Sequence, residues 1–389
     1  MQAKSPLKKS YLLTPGPTTL PETVVQAFAQ PILHHRTKDF EVLFETVAKG
    51  MKEIYQTTQD VLFLTATGTG AMEASVTNLF SPGEKVITIN AGKFGERWTK
   101  LAQAYGLNPV EIFIERGKTL KIAELEKVIA ANKDAVAVLF QAHETSTGVM
   151  LPTQEICALA NKSGMLSVVD AITACGAYNI PMDAWKIDVM LVGSQKALMI
   201  PPGLAFIALS DAAWKKSSTA KLPKFYFDLA KERKAQAKMQ TAWTPAVSLI
   251  QGLQEAIRLI QEEGLHHRFR RHEILAKATR AGIHALGLEL FSESPSPSVT
   301  SVKIPESIVN GSKIPSIMRE KYGVSIAGGQ DELKGKIIRL SHFGYLGEFD
   351  ITTGLSCLEL TLNDLGYKMQ FGQAVGAALK VFADEGFRA

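Results

Sequence analysis

Short apolar runs alternate, up to about Pro245, with segments whose apolar residues recur at helical spacing. The apolar runs predict strands at 61–65, 85–89, 109–114, 135–140, 166–170, 188–192 and 204–209. The segments between them predict helices at 71–80, 94–105, 122–131 and 153–162. Strands that alternate with helices usually form a parallel sheet with helices on both faces. We therefore predict an α/β fold with a mostly parallel central sheet.

The pattern becomes looser after Pro245. Two long amphipathic helices are predicted at 247–263 and 265–286, and a glycine follows each of them. The rest of the chain predicts strands at 288–291, 299–304, 324–327 and 336–341, and helices at 313–322, 351–363 and 369–383. Such a mixture is typical of an α+β domain. We expect an N-terminal arm at 1–20, a large domain at 21–255 and a small C-terminal domain at 256–389.

Lys196 stands just after a predicted buried strand, where the apolar run at 188–192 gives way to small and polar residues. Ligands of open α/β sheets bind outside the carboxyl ends of the strands. A lysine there can form a Schiff base with a carbonyl group if its ammonium loses a proton, whereas a lysine considered alone is more often a solvated surface residue. Asp170, 26 positions earlier, ends a second predicted strand. Pyridoxal phosphate needs this pair, a carboxylate for its pyridinium nitrogen and an amine for its aldehyde carbon.

A turn rich in glycine and threonine, 65–70 (TATGTG), links a predicted strand to a predicted helix. Backbone N–H groups and hydroxyls in such a turn can surround a phosphate at the N-terminus of the helix. The turn lacks the third glycine of a dinucleotide-binding motif, since Glu73 stands there, and it lacks the Gly-Lys-Ser/Thr of a P-loop. An ordinary capped turn has the same composition, so this motif alone leaves both interpretations open.

Two further motifs place polar groups at or within predicted strands. The loop at 141–148 (QAHETSTG) offers hydroxyls that could reach a ring oxygen of a cofactor, although an ordinary turn and helix cap explain it equally well. Arg339 interrupts an apolar strand, and its planar guanidinium suits a substrate carboxylate. A structural salt bridge is the alternative for Arg339. For the neighbouring His342, a hydrogen-bonded or exposed histidine is favoured over a catalytic base.

The bulk composition is that of a globular enzyme, with 389 residues, of which 46% are hydrophobic and 21% are charged. The net charge of +5 is spread along the chain without interleaved aromatic residues, which argues against a nucleic-acid partner. Three distant cysteines without a Cys-x-x-Cys motif favour a reducing, cytoplasmic compartment, and we expect no metal site. The N-terminus has no signal-like apolar core and no apolar run reaches membrane-spanning length, so we expect no membrane span.

Taken together, these motifs resemble the class V aminotransferases of the fold-type I pyridoxal-phosphate enzymes, in particular the alanine–glyoxylate and serine–pyruvate aminotransferases. The most specific features are 169–172 (VDAI), 194–198 (SQKAL) and 201–203 (PPG), in that order. The likeness extends from Leu12 to Arg339. It implies that pyridoxal 5'-phosphate is the cofactor, and that a large cofactor-binding domain is followed by a smaller C-terminal α+β domain.

The resemblance also implies roles for individual residues. Lys196 would form the Schiff base, and Asp170 would contact the pyridinium nitrogen. The other implied cofactor contacts are Thr69, Gly70 and Gln195 for the phosphate, Thr145 for the phenolic oxygen, and Phe94 and Ile172 for the two faces of the ring. Gly16 and Arg339 would contact the substrate. Family members are homodimers with shared sites, and Thr244 would contact the phosphate across the interface, in a segment that lacks the tyrosine often found there.

The implied reaction is transamination in two half-reactions, with Lys196 as the general acid–base that moves the α-proton. A single arginine, Arg339, favours a small donor such as alanine or serine, with aspartate also considered, and glyoxylate or pyruvate as acceptor. The alternatives are another class V enzyme, such as a cysteine desulfurase or a lyase, and a non-catalytic interaction subunit. A desulfurase needs a thiolate on a mobile loop. Cys357, the only cysteine after Lys196, lies in an apolar helical segment and is expected to be buried.

Overall fold

The computed structural model describes residues 9–387. Within them the strands are β1 Tyr11–Leu12, β2 Val61–Leu64, β3 Lys85–Asn90, β4 Asn108–Phe113, β5 Ala137–Gln141, β6 His143–Glu144, β7 Val149–Met150, β8 Leu166–Asp170, β9 Val189–Gly193, β10 Ala205–Leu209, β11 Val299–Lys303, β12 Val324–Ser325, β13 Ala327–Gly328 and β14 Ile337–Ser341. The α-helices are α1 Glu22–Phe28, α2 Lys38–Tyr55, α3 Gly68–Leu79, α4 Lys93–Ala104, α5 Ile122–Ala131, α6 Thr153–Lys162, α7 Asp211–Ser217, α8 Leu229–Gln236, α9 Val247–Glu263, α10 Leu265–Ala285, α11 Ile314–Ile317, α12 Glu348–Asp364 and α13 Gln373–Asp384. Residues 1–8 of the predicted N-terminal arm and residues 388–389 of the predicted C-terminal domain lie outside the described residues.

The main sheet has seven strands in the order β2-β10-β9-β8-β5-β3-β4. The pairs β3–β4, β3–β5, β5–β8 and β8–β9 are parallel, and β10 runs antiparallel to both of its neighbours. The prediction of a mostly parallel sheet is therefore confirmed, and each predicted strand of this sheet forms with its ends shifted by no more than two residues. The reversed direction of β10 was not predicted, because an apolar run has the same pattern in either direction.

Neighbouring side chains of the main sheet point into two different hydrophobic cores. Val168 and Val169 of β8 lie in opposite cores, and Phe206 and Ile207 of β10 divide in the same way. Side chains alternate between the faces of a strand, and helices cover both faces of this sheet. The strands therefore need apolar residues at nearly every position, which is why short continuous apolar runs marked them in the sequence.

A smaller antiparallel sheet, in the order β11-β14-β13, packs with α10, α12 and α13 around a third core. This third core includes Leu13, and β1 pairs in parallel with β12, so the N-terminal segment packs with the C-terminal part of the chain. The buried face of α9 instead joins the main sheet through Ile250, Leu253 and Ile257. The domain division near residue 255 remains a prediction. Within residues 9–387, none of the helices combines the length and apolar character needed to cross a bilayer.

Three predicted elements of the C-terminal part were wrong in detail. The stretch 288–291 forms only an isolated bridge between Leu290 and Val302, with one backbone hydrogen bond on each side of it, from Phe291 to Ser301 and from Lys303 to Glu289. The stretch 324–327 divides into β12 and β13, which pair in different sheets. The stretch 313–322 is a short α11 that continues as a π-helical turn rather than as one regular helix.

Candidate functional site

The carboxyl ends of three neighbouring strands bring the predicted site residues together. β5, β8 and β9 lie side by side and parallel, with Gln141 paired to Asp170 and Asp170 paired to Leu191. Lys196 follows three residues after the end of β9. The loop that carries Thr145, the Asp170 carboxylate and Lys196 therefore leave the same edge of the sheet, which is where α/β folds bind their ligands.

The Lys196 ammonium is enclosed by the N-terminal segment of the chain. Its Nζ donates a hydrogen bond to the Pro15 carbonyl at 2.5 Å, and the Lys196 carbonyl accepts one from Thr18 Oγ1 at 2.8 Å. A Cβ at Gly16 would lie only 2.5 Å from Lys196 Cδ, so the loop can approach this closely only with glycine there. Burial lowers the pKa of the Lys196 ammonium to about 8, although the Asp170 carboxylate opposes this effect. The amine is consequently easier to deprotonate than an ordinary lysine, as a nucleophile or a base requires.

The Asp170 carboxylate is buried without an ion-pair partner among the described residues. It is 5% exposed, and Oδ1 accepts a hydrogen bond from the backbone of Ile172 at 2.9 Å. Burial raises the pKa of Asp170 to about 7, against the smaller opposing effects of the Ile172 hydrogen bond and of Arg97. A buried carboxylate is stabilised by a cationic hydrogen-bond donor. The protonated pyridine nitrogen of pyridoxal phosphate has this chemistry, so Asp170 fits the cofactor.

The N-terminus of α3 forms the corner of the site that was expected to hold the phosphate. A Cβ on Gly68 would overlap the Ile172 side chain, so the helix begins directly against the loop that follows Asp170. Thr69 Oγ1 accepts a hydrogen bond from Arg97 at 2.9 Å, and the Gly70 N–H donates to the Thr67 carbonyl at 2.8 Å. A helix N-terminus with a nearby arginine suits an anion.

Gln195 also has the chemistry expected of a phosphate contact. Its Oε1 is buried and has no hydrogen-bond partner among the described residues. Because the oxygen and nitrogen of such an amide can exchange places by rotation, the side chain can present either a donor or an acceptor. A buried amide without a partner indicates a missing ligand group at this position.

Glu144 was named in the sequence only as part of a loop, and the structure gives it a specific place. Its buried carboxylate accepts hydrogen bonds from the backbone N–H groups of Gly95 at 2.9 Å and Phe94 at 3.2 Å, and from Ser146 Oγ at 2.5 Å. Helix α4 begins after Gly92, which has no side chain to cap it. Glu144 thus replaces the missing cap and holds Phe94 in position.

We predict that Glu144→Gln lowers the free energy of unfolding by about 2 kcal/mol, because an amide has one acceptor oxygen and no charge for several N–H donors. The measurement is denaturant unfolding of the variant and the wild type. Glu155→Gln is the matched control, since Glu155 is an exposed acid in the first turn of α6. An equal, small effect of both substitutions would contradict the capping role.

Arg339 on β14 joins the small sheet to the loop after β5. It is 6% exposed, its Nη2 donates to the Gly328 carbonyl at 2.7 Å, and its Nη1 donates to the Thr145 carbonyl at 2.8 Å. The structural salt bridge considered above is not present among the described residues. Burial lowers the pKa of Arg339 to about 10, and the Glu144 charge opposes this without forming an ion pair. The guanidinium is therefore held in place by carbonyl groups while its charge has no carboxylate partner in residues 9–387.

Two further residues named in the sequence, His342 and Thr244, lie in a buried and in an exposed position, respectively. His342 is buried, with Nε2 2.9 Å from Thr300 Oγ1 and Nδ1 2.6 Å from the Pro297 carbonyl, so the expectation of a hydrogen-bonded histidine is confirmed. Thr244 lies at the surface in a cavity that Trp243 also lines, and its cross-subunit contact stays a prediction. Residues 9–387 contain no group of three or more histidine, cysteine or acidic side chains arranged to hold a metal ion.

Known proteins resemble this chain over nearly its whole length. A family model described as aminotransferase class-V matches residues 10–342. The chain is 42% identical over 382 residues to a protein of Anabaena cylindrica named soluble hydrogenase 42 kDa subunit, covering 97% of this chain and 99% of that one. It is 34% identical over 378 residues to the L-aspartate–glyoxylate aminotransferase of Paracoccus denitrificans, covering 94% of each. The solved structure of ureidoglycine–glyoxylate aminotransferase from Bacillus subtilis has a TM-score of 0.93 at 28% identity, covering 98% of this chain and 100% of that one. The matched range includes every candidate site residue from Gly16 to Arg339.

Proposed function

The chain belongs to the class V aminotransferase family, and on that basis we propose that it moves the amino group of a small L-amino acid, alanine or serine, to glyoxylate or pyruvate. The fold is that of the fold-type I enzymes, and pyridoxal phosphate is the cofactor. Both aminotransferases compared above carry glyoxylate in their names, which supports glyoxylate as the acceptor. Aspartate is a third candidate donor, because the relative from Paracoccus denitrificans carries it in its name.

The observation that carries this proposal is the buried Arg339 without a carboxylate partner. A guanidinium held by the Gly328 and Thr145 carbonyls has a fixed orientation, so it can bind a substrate carboxylate without reorganisation. Because one such arginine anchors one carboxylate, the site favours amino acids with small, uncharged side chains. The geometry thus supports alanine or serine ahead of aspartate.

In the proposed mechanism, the residues of the chain divide the work of binding and proton transfer. Pyridoxal phosphate, when bound, supplies an aldehyde that takes up the amino group and a ring that accepts electrons. Lys196 would hold the aldehyde and would move the α-proton of the donor as a general acid–base, which its lowered pKa makes easier near neutral pH. Asp170 would keep a proton on the ring nitrogen, and Arg339 would orient the donor so that its α-hydrogen faces Lys196.

We predict that Arg339→Lys lowers kcat/KM for alanine or serine by about 30- to 150-fold, because losing a bidentate charged pair costs about 2–3 kcal/mol. The visible absorbance of the bound cofactor should stay close to that of the wild type, and the melting temperature should fall only as far as the lost hydrogen bonds to the Gly328 and Thr145 carbonyls require. Arg258→Lys, on the exposed face of α9, is the control and should change neither quantity. A less stable protein with wild-type kcat/KM would remove Arg339 from the substrate site and make it a structural residue.

The proposed substrates are tested by a matrix of donors and acceptors with the purified, cofactor-loaded enzyme. Alanine, serine and aspartate are each paired with glyoxylate and pyruvate, and the initial rates are compared. The proposal expects the largest kcat/KM for alanine or serine with glyoxylate or pyruvate. It fails if the bound cofactor shows its normal absorbance while none of these pairs turns over.

The desulfurase alternative is weakened by the surroundings of Cys357. This residue lies within α12, is 9% exposed and packs in the third core with Leu355 and Leu358. A desulfurase thiolate must reach the substrate sulfur, and a buried thiol on a regular helix is not placed to do so. Release of sulfide from cysteine in the same assay would nevertheless identify a desulfurase and overturn the proposed transaminase.

We also propose that the enzyme is a homodimer with shared sites. The surface that carries Thr244 also carries Trp243, which lies over Tyr226 with ring centroids 5.8 Å apart, and the exposed Phe225. Exposed aromatic residues of this kind are enriched in protein interfaces. Light scattering at working concentration tests the assembly, and a monomer mass with full activity would contradict it.

A further inference from the structure

Three buried polar side chains, those of His143, Thr173 and Thr145, form a hydrogen-bonded row. His143 Nδ1 lies 2.8 Å from Thr173 Oγ1, and Thr173 Oγ1 lies 2.8 Å from Thr145 Oγ1. None of these residues is more than 5% exposed. The Thr145 carbonyl accepts a hydrogen bond from Arg339, so this row of side chains ends beside Arg339, the proposed substrate anchor.

The His143 ring is neutral in these surroundings. Burial lowers the pKa of His143 to about 3, and the positive charges of Lys196 and Arg339 act in the same direction. The Gly148 backbone acts in the opposite direction, but Nε2 of His143 has no hydrogen-bond partner of ordinary geometry among the described residues. A neutral imidazole carries a single N–H, which is on either Nδ1 or Nε2.

The position of that one hydrogen determines the direction of every hydrogen bond in this row. If Nδ1 carries it, His143 donates to Thr173, Thr173 donates to Thr145, and the Thr145 hydroxyl hydrogen is available to a further acceptor. If Nε2 carries it, Thr145 donates to Thr173, Thr173 donates to Nδ1, and the buried Nε2–H has no acceptor of ordinary geometry among the described residues. Buried N–H groups without acceptors are rarer in proteins than acceptors without donors, which favours the first arrangement.

We propose that His143 is held as the Nδ1–H tautomer and, through Thr173, turns the Thr145 hydroxyl hydrogen toward the phenolic oxygen of pyridoxal phosphate. His143 and Thr173 are then positioning residues that act through Thr145. The inference rests on the proposed role of Thr145 in binding the cofactor. A donated hydrogen bond stabilises negative charge on the phenolic oxygen, whereas the reverse arrangement would direct a lone pair of Thr145 at it.

Neutron diffraction from deuterium-exchanged crystals of the wild-type holoenzyme locates these hydrogens directly and needs no variant. The expected result is a deuteron on His143 Nδ1, one between Thr173 and Thr145 that is bonded to Thr173, and one on Thr145 that points to the cofactor. A deuteron on Nε2 instead, with Thr173 donating to Nδ1, would overturn the proposal.

A pair of substitutions at Thr173 gives a second test by spectroscopy. Thr173→Val keeps the shape of the side chain but breaks the chain of hydrogen bonds, whereas Thr173→Ser keeps the hydroxyl. The readout is the midpoint of the pH-dependent change in the visible absorbance of the bound cofactor. With Thr173→Val the Thr145 hydroxyl loses the hydrogen bond that fixes its orientation and therefore donates less strongly to the phenolic oxygen, so the midpoint should rise by up to about one pH unit. Thr173→Ser should restore the wild-type midpoint, and equal midpoints for both variants would reject the inference.

These results are independent of the choice of substrate. If the donor–acceptor matrix fails while the deuterons and midpoints are as expected, the proposed function is wrong and the arrangement of His143, Thr173 and Thr145 stands. If the matrix succeeds and the deuteron lies on Nε2, the proposed function stands and the inference about His143 is wrong.

Discussion

Replacing Lys196 with alanine is expected to abolish measurable transamination, with a loss of at least about two to four orders of magnitude, the range that general acid–base catalysis by one side chain contributes. The physical reason is that the proposed mechanism assigns two tasks to one amine, holding the cofactor aldehyde and moving the α-proton. The visible absorbance band of the loaded enzyme should disappear with the activity. The fold should remain, since the amine forms no ion pair among the described residues and its one hydrogen bond there is to the Pro15 carbonyl.

Three measurements check this prediction: steady-state turnover, the absorbance spectrum and the melting temperature of Lys196→Ala. The control is Lys162→Ala, which removes an exposed lysine from the last turn of α6 and should alter none of them. A variant at Lys196 that keeps even a tenth of the wild-type rate would show that the lysine has another role.

The positions of the two proposed catalytic residues could be predicted from sequence because of how the main sheet is buried. β8 and β9 are covered on both faces, so they are mostly apolar, and apart from Ser167 near the start of β8 they become polar only where they end. The end of each apolar run therefore marks the edge of the sheet at which ligands bind. Asp170 and Lys196 stand at two such ends, and β8 and β9 are neighbours in the sheet.

The residues that support the site could not be predicted in this way, because their partners lie far away in the chain. Glu144 caps a helix that begins about fifty positions earlier, and no local pattern indicates that a helix will borrow its cap. The contact between His143 and Thr173 likewise depends on how the short strand β6 packs against the turn after β8. Arg339 was ambiguous in the sequence for the same reason, since its carbonyl partners belong to other segments.

One omission had a different cause. Helix α2 was not among the predicted elements, although its signals were local and readable. Thr37 accepts a hydrogen bond from the Phe40 backbone as the N-cap, and Phe40, Phe44 and Val47 recur at helical spacing on the buried face. The pattern predicts this helix once it is read with its cap.

Asp170→Asn is expected to slow the transfer of the α-proton by about two to three orders of magnitude while cofactor binding persists, because an amide cannot hold a positive charge on the ring nitrogen. Rapid-mixing measurement of the proton-transfer step, with an α-deuterated donor to identify it, is the test. Asp188→Asn is the matched control. Asp188 is a second buried aspartate that hydrogen bonds to Ser167 and Ser210 at the opposite end of β8 and β9, and its substitution should leave the step unchanged. A near-normal rate for Asp170→Asn would reject its role.

Although Asp170→Asn should impair catalysis, it should stabilise the cofactor-free protein at neutral pH. Burial raises the pKa of Asp170 from its ordinary value of 3.8 to about 7, so ionising this group is harder in the folded state than in the unfolded state. Below pH 4 both states are protonated and the carboxylic acid carries no penalty. As the pH rises from about 4 to about 7, Asp170 ionises in the unfolded state while it is still protonated in the folded state. The free energy of unfolding of the wild type therefore falls relative to that of Asp170→Asn. The variant should therefore melt at a higher temperature than the wild type above pH 7, with a difference that shrinks toward pH 4. A difference that does not change with pH would show that the carboxylate is not a buried, unpaired charge, and it would remove the physical reason for pairing Asp170 with a pyridinium.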